Sequence, residues 1–459
     1  MLLPKYYYTV FYITYLVVAI LFVLYVVLKE KPKHKIINFS ILVWLVSFES
    51  LNSSIAWGLF PVLWKFRRGT LLLAMILLIL FTLSSLSRRQ KSDKVPMLIY
   101  EKHLYAYLII SIFILYLHSY VGNLLEERFA YFSRVYFTAF LINTLIKRFM
   151  TIELIRSIFK VIIFIGICTS IAGIIQFYLD SNFLRISNLN VAYGSHFRSS
   201  GVFLNPIGHG LFLIISVFTV AYTIKDNKLK FLLIFLFSFN IVLIFSRGMW
   251  LAFLGVVLLH LFILYRKKYK NYMKLVFSFV LILLSFMLTS INIQEIISSG
   301  EGASARVFED TVTVRFGYYG FIIKSIPKSL FLGFGDIQNN STYFNGMVEL
   351  NQGLTWALGK EGGIHNIILE EAFLRGIIAM FFFLSFFILF FKYNINRSIK
   401  DRNSLFFISN YYLMSFLLYE QTVSGFLTSN SGIMTMFFAS LVSGVNCNKI
   451  DIKEFEISS

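Results

Sequence analysis

Residues 156–178 read RSIFKVIIFIGICTSIAGIIQFY, and this stretch decides the fold class. Beyond Lys160 no charged residue follows as far as Tyr178. That apolar length is what a helix needs to cross about 30 Å of hydrocarbon. Inside lipid the backbone must satisfy its own N–H and C=O groups, and a helix does so within one segment. Comparable runs recur at roughly 6–28, 36–60, 69–86, 103–120, 129–146, 205–223, 231–246, 249–265, 274–291, 365–391, 404–420 and 425–445. The short alternating segments of a membrane β-barrel are absent. The expectation is an all-α, polytopic integral membrane protein of about twelve to fourteen spans, with residues 1–459 forming one membrane domain.

Composition agrees with that expectation. Hydrophobic residues make up 58% of the chain, charged residues only 14%, and mean hydropathy is +0.74. A soluble domain carries about 25% charged residues. Tyr6 to Leu28 is too long for a signal peptide and is read as a retained first span. Cys168 and Cys447 suit neither a disulfide framework nor a metal site.

The formal charge of +19 invites a nucleic-acid reading, but the placement of the charges argues against it. Basic residues fill alternate short loops: Lys29/Lys31/Lys33/Lys35, Arg88/Arg89/Lys91/Lys94, Lys147/Arg148/Arg156/Lys160, Arg266/Lys267/Lys268/Lys270 and Lys392/Arg397/Lys400/Arg402. The positive-inside rule puts these on the cytoplasmic side. The outer loops are then 121–128, 179–204, 292–364 and a turn near Glu420, with 292–364 a large extracytoplasmic loop. Lys65, Arg67 and Arg68 break the rule, so 36–66 is read as a tilted or re-entrant segment.

Candidate chemistry gathers on the outer side. Arg198-Ser199-Ser200-Gly201 leads into Asn205-Pro206, where Asn-Pro is also a helix-start signal. An outer arginine runs against the charge trend, and a guanidinium holds phosphate by a bidentate fork. Arg198 and Arg315 are therefore the anion-binding candidates. The segment Arg315-Phe-Gly-Tyr-Tyr-Gly-Phe-Ile-Ile-Lys-Ser-Ile-Pro327 reads as an amphipathic stretch at the membrane surface, followed by Leu332-Gly333-Phe334-Gly335. Ser246-Arg247-Gly248 forms a tight outer turn, where Arg247 either snorkels, shapes the cavity or touches substrate. His365-Asn366 opens a span that still carries Glu370, Glu371 and Arg375. Glu371 and Arg375 are four apart and suit a neutralising pair. Asn366 and Glu370 share a face, and the imidazole of His365 suits proton transfer near neutral pH.

Taken in order, these elements resemble the O-antigen polymerase and O-antigen ligase superfamily of bacterial envelope glycosyltransferases. Arg198 to Pro206 resembles the family's outer arginine loop. Ser246-Arg247-Gly248-Met249-Trp250-Leu251-Ala252 resembles its Ser-Arg-Gly-x-Trp-Leu-Ala turn, and Arg315 to Gly335 its arginine, proline and Gly-x-Gly segment. His365-Asn366 with Glu370 or Glu371 resembles its His-Asn-x-x-Leu-Glu helix start. The likeness covers about 198–391; the loop 179–204 departs from it in being sparse in arginine.

The resemblance implies a GT-C-like membrane enzyme at the inner membrane, with its active site facing the periplasm. It further implies a glycan donor on polyprenyl pyrophosphate, with membrane lipids and a chain-length regulator as partners and no metal, cofactor or nucleic acid. His365 would be the catalytic base. Arg198, Arg315, Arg247 and Asn366 would bind pyrophosphate or substrate, and Glu371, Arg375 and Glu370 would be structural or secondary. Polymerase is the leading expectation, ligase the alternative. A lipid-linked oligosaccharide flippase is the rival from another class, for which internal repeats and interrupted helices would speak.

Overall fold

The computed structural model describes residues 5–32, 34–52, 97–122, 143–181, 183–184, 192–193, 196–203, 206–244, 246–266, 319–320, 322–335, 366–401, 404–420, 430–448 and 450. The expected spans 69–86 and 274–291, and most of 129–146, lie outside them. The described elements are the helices α1 (Lys5–Glu30), α2 (Lys35–Asn52), α3 (Ile99–Gly122), α4 (Ile152–Tyr178), α5 (Pro206–Thr223), α6 (Asn227–Leu243), α7 (Arg247–Arg266), α8 (Ile367–Asp401), α9 (Ser404–Glu420) and α10 (Asn430–Cys447). A short 3-10 helix spans Ile326–Ser329. The protein is an all-α polytopic membrane protein. Among the described residues, three helices are long and apolar enough to cross a membrane by length and composition: Ile152–Tyr178, Pro206–Thr223 and Ile367–Arg397.

Local chemistry explains where helices begin. Thr151 caps α4, its hydroxyl accepting from Leu154 N–H at 3.3 Å. Asp226 caps α6 by accepting from the N–H groups of Lys228 and Leu229. That cap starts α6 at Asn227, several residues before the apolar run expected at 231. At about 1.5 Å per residue, the 27 residues of α4 cover roughly 40 Å.

α5 is the central helix. Of its most apolar window 78% is buried, against 61% for α4 and 50% for α8. It packs on α4, α6 and α9, while α8 lies against α3 and α9. The outward surfaces are apolar as well: Ile109, Phe113, Phe231, Leu232, Leu251, Phe381 and Ile388 are all exposed. Such apolar outward surfaces suit lipid and not water.

The helices alternate in direction, which sorts the loops to two ends. His260 of α7 meets Tyr411 of α9, and further along Gly255 of α7 lies against Leu418, so these two run antiparallel. Tyr222, near the end of α5, stacks on Phe407, near the start of α9. Phe387 and Tyr393 of α8 meet Phe416 and Phe406 of α9, so α8 also runs against α9, and α5, α7 and α8 all begin at the end where residues 199–203 and the Ser246 turn lie. The opposite end carries basic residues, and two of them are neutralised there: Lys160 pairs with Glu30 and Lys147 with Glu101.

Two features depart from the sequence expectation. A two-residue antiparallel ladder joins Ala192–Tyr193 (β1) to His196–Phe197 (β2) just before Arg198. The long helix α8 is broken at Gly376, whose φ of 78° and ψ of 171° are not helical.

Candidate functional site

The loop behind Arg198 is drawn into the bundle. Ser199, Ser200, Val202 and Phe203 are buried to 3% exposure or less. A buried loop must find partners for its backbone groups, and here a single side chain supplies four. The amide nitrogen of Gln176, in the last turn of α4, donates to the carbonyls of Phe183 and Gly201, both at 2.7 Å. Its Oε1 accepts from the N–H groups of Ser200 and Gly201, both at 2.9 Å. Thr169, two turns earlier on α4, accepts from Val202 N–H at 3.2 Å. Ser199 N–H donates to the Leu243 carbonyl at the end of α6. His209 on α5 stacks against Phe203.

Gly201 has a reason to be glycine. Its φ is 56°, and a Cβ there would fall within 3 Å of both Thr169 Oγ1 and the Thr169 carbonyl. Arg198, half-buried, immediately precedes this clamped segment.

The Ser246-Arg247-Gly248-Met249-Trp250 turn is locked by its other members. Ser246 caps α7, its hydroxyl accepting from Met249 N–H at 3.4 Å. The Trp250 indole N–H donates to the Ile241 carbonyl of α6 at 3.1 Å. These two contacts set Arg247 as the first residue of α7, a place where the helix dipole favours anions.

Asn366 caps α8. Its Oδ1 accepts from the N–H groups of Ile368 and Leu369 at 3.1 and 3.0 Å. One turn on, Glu370, Glu371 and Arg375 are all buried. Arg375 Nη1 is ion-paired with Glu371 Oε1, and the hydroxyl of Tyr107 on α3 donates to Glu371 Oε2 at 2.8 Å. The pair is thus a three-membered group joining α3 to α8.

The break in α8 is filled by the Gly-x-Gly segment. Phe334 and Gly335 N–H donate to the carbonyls of Phe373 and Leu374, and Ile377 N–H donates to the Leu330 carbonyl. Gly333 and Gly376 both have positive φ, and a Cβ on either would strike the other segment's backbone. Ile322 packs with Phe373 and Leu374, and Phe334 stacks on Phe373 with ring centres 4.7 Å apart. The described part of the stretch expected at the membrane surface, from Tyr319 on, is therefore docked on protein along one face. Ile323, Phe331 and Leu332 remain exposed on the other.

By topology, then, Arg198, Arg247 and Asn366 lie at one end, with Glu370, Glu371 and Arg375 just behind Asn366. His365 and Arg315 lie outside the described residues. Gln176, Thr169 and Tyr107 escaped the sequence reading. Only Gln176 carried a signal, as a lone carboxamide in the last turns of an apolar span.

A family model described as O-antigen ligase matches residues 232–384. The match covers 153 of the 459 residues and marks what that stretch is similar to. It takes in Arg247, Arg315, His365, Asn366 and the Glu371–Arg375 pair, but not Gln176 or Arg198. The family implies a membrane glycosyltransferase-like enzyme. No curated protein matches the chain.

Proposed function

We propose that the protein polymerises a bacterial surface polysaccharide such as O-antigen. It transfers a glycan from a polyprenyl-pyrophosphate carrier to a lipid-linked glycan acceptor, at the outer face of the inner membrane. The supporting observation is the overlap of the family match with one end of the bundle. The starts of α7 and α8 fall within the match and lie at the same end as the clamped segment that follows Arg198.

In this reading Arg198 and Arg315 hold the pyrophosphate and stabilise the charge that grows on it as it leaves. Arg247 and Asn366 contact the substrate from the starts of α7 and α8. His365 takes the proton of the attacking sugar hydroxyl. The new C–O glycosidic bond forms as the anomeric C–O bond to phosphate breaks, and polyprenyl pyrophosphate departs with the bonding electrons. Attack opposite the leaving group inverts the anomeric centre. The apolar outer surface of the helices takes the lipid tail.

The test is a chain-length assay on membranes from cells that supply the lipid-linked repeat. His365→Ala is expected to slow extension by about 10²-fold or more, and Arg315→Ala by about 10²-fold. Full-length polymer from both variants at wild-type protein levels would sink the proposal. The ligase alternative separates in a strain lacking the gene. Loss of a polymerase leaves one repeat on the lipid A core, whereas loss of a ligase leaves none.

A further inference from the structure

Gln176 has no place in the chemistry above and lies outside the family match, yet it makes four hydrogen bonds to the loop that carries Arg198. All four hydrogen-bonding positions of its carboxamide, two donors and two acceptor lone pairs, go to backbone groups at Phe183, Ser200 and Gly201. The side chain is 3% exposed and sits in a span, where a polar group with no partner is costly. Its geometry matches the loop and nothing else: every bond ends on backbone within a few residues of Arg198 or on the far limb of the same loop.

We infer that Gln176 is a positioning residue for Arg198, holding residues 199–201 inside the bundle so that the guanidinium is presented to the pyrophosphate of the donor. The inference rests on the anion-binding role proposed for Arg198 and adds the residue that aims it. The clamp joins Ser200 and Gly201 to α4, and the neighbouring Ser199 N–H joins α6. With the loop tied to two helices, the arc open to Arg198 is small. Thr169 is the minor partner, fixing Val202.

The experiment uses the full-length protein in detergent and inorganic pyrophosphate as the probe. Arg198→Ala, Gln176→Leu and the double variant are compared for pyrophosphate binding, and amide hydrogen exchange is followed at Ser200 and Gly201. Gln176→Leu should accelerate exchange at those two amides and weaken pyrophosphate binding about as much as Arg198→Ala does. The double variant should be no weaker than Arg198→Ala, because the glutamine acts through the arginine. In turnover, Gln176→Leu should lower the donor kcat/KM by about tenfold, with part of the loss in kcat, because Arg198 also stabilises the leaving pyrophosphate. Gln176→Glu, which keeps the acceptors for Ser200 and Gly201 N–H, should recover part of the binding.

Wild-type pyrophosphate affinity in Gln176→Leu, beside faster exchange and a lost response in Arg198→Ala, would overturn the positioning role alone. Wild-type affinity in Arg198→Ala would overturn the anion role of Arg198, and the positioning inference with it. If Gln176→Leu is not recovered folded, Thr169→Val takes its place, since it releases only Val202; faster exchange at Val202 without weaker pyrophosphate binding then counts against the inference.

Discussion

Glu371 makes heavy demands on its surroundings. It is fully buried, and taking a carboxylate out of water costs several kcal/mol. Arg375 neutralises it, and Tyr107 donates to its second oxygen. Neither partner alone would suffice, since an ion pair still leaves acceptor sites unfilled. Arg375→Leu should therefore destabilise the protein by about 3–5 kcal/mol, by leaving an uncompensated buried charge. The double variant Glu371→Leu/Arg375→Leu should lose much less, since both charges go together. Tyr107→Phe should cost about 1.5–3 kcal/mol, the range for a hydrogen bond to a charged group. Thermal unfolding in detergent checks the order; a double variant as unstable as Arg375→Leu would contradict it. The i,i+4 spacing of Glu371 and Arg375 is legible in sequence because both lie on one helix. Tyr107 is not, because its contact crosses from α3 to α8 and an aromatic in an apolar span has many other uses.

At the scale of elements, the broken helix and the Gly-x-Gly segment are one device. A break in a span frees backbone groups, and in lipid these must be satisfied again. Residues 330–335 do so for the carbonyls of Phe373 and Leu374 and the N–H of Ile377. Both segments need glycine because the backbones touch and φ is positive at Gly333 and Gly376. A side chain in that region of backbone space costs about 1–3 kcal/mol before any clash. Gly376→Ala should thus detach the segment, seen as faster amide exchange at Phe334, Gly335 and Ile377. Gly320→Ala, where a Cβ would meet nothing within 4 Å, should leave exchange at these amides unchanged. Equal rates in wild type and Gly376→Ala would refute the interlock. One half of this device was visible in sequence, as the Gly-x-Gly of Leu332-Gly333-Phe334-Gly335, while the break at Gly376 was unexpected. Their partnership was not visible either, since some forty residues separate them and periodicity reports only on neighbours. For the same reason the caps at Thr151, Asp226 and Asn366 could be read locally, while the Gln176 clamp could not.

The whole molecule must also be tested against transport. An interrupted span is a feature expected of a transporter, where half-helix ends and unwound backbone bind the cargo. α8 is interrupted, but the carbonyls of Phe373 and Leu374 and the N–H of Ile377, beside the break, are already bonded to the protein's own loop. Arg198, Arg247 and Asn366, the described residues named for chemistry, lie instead toward the end where α5, α7 and α8 begin. That arrangement suits a reaction at one membrane face, with the apolar exterior holding the lipid carriers. The expected outcome is that purified protein in detergent micelles lengthens lipid-linked glycans, where no sealed compartment exists and transport has no meaning. Gel analysis of the lipid-linked products should show a ladder whose length grows with time and which is lost in His365→Ala. Extension that appears only in sealed vesicles, with none in micelles holding folded protein, would instead favour a flippase.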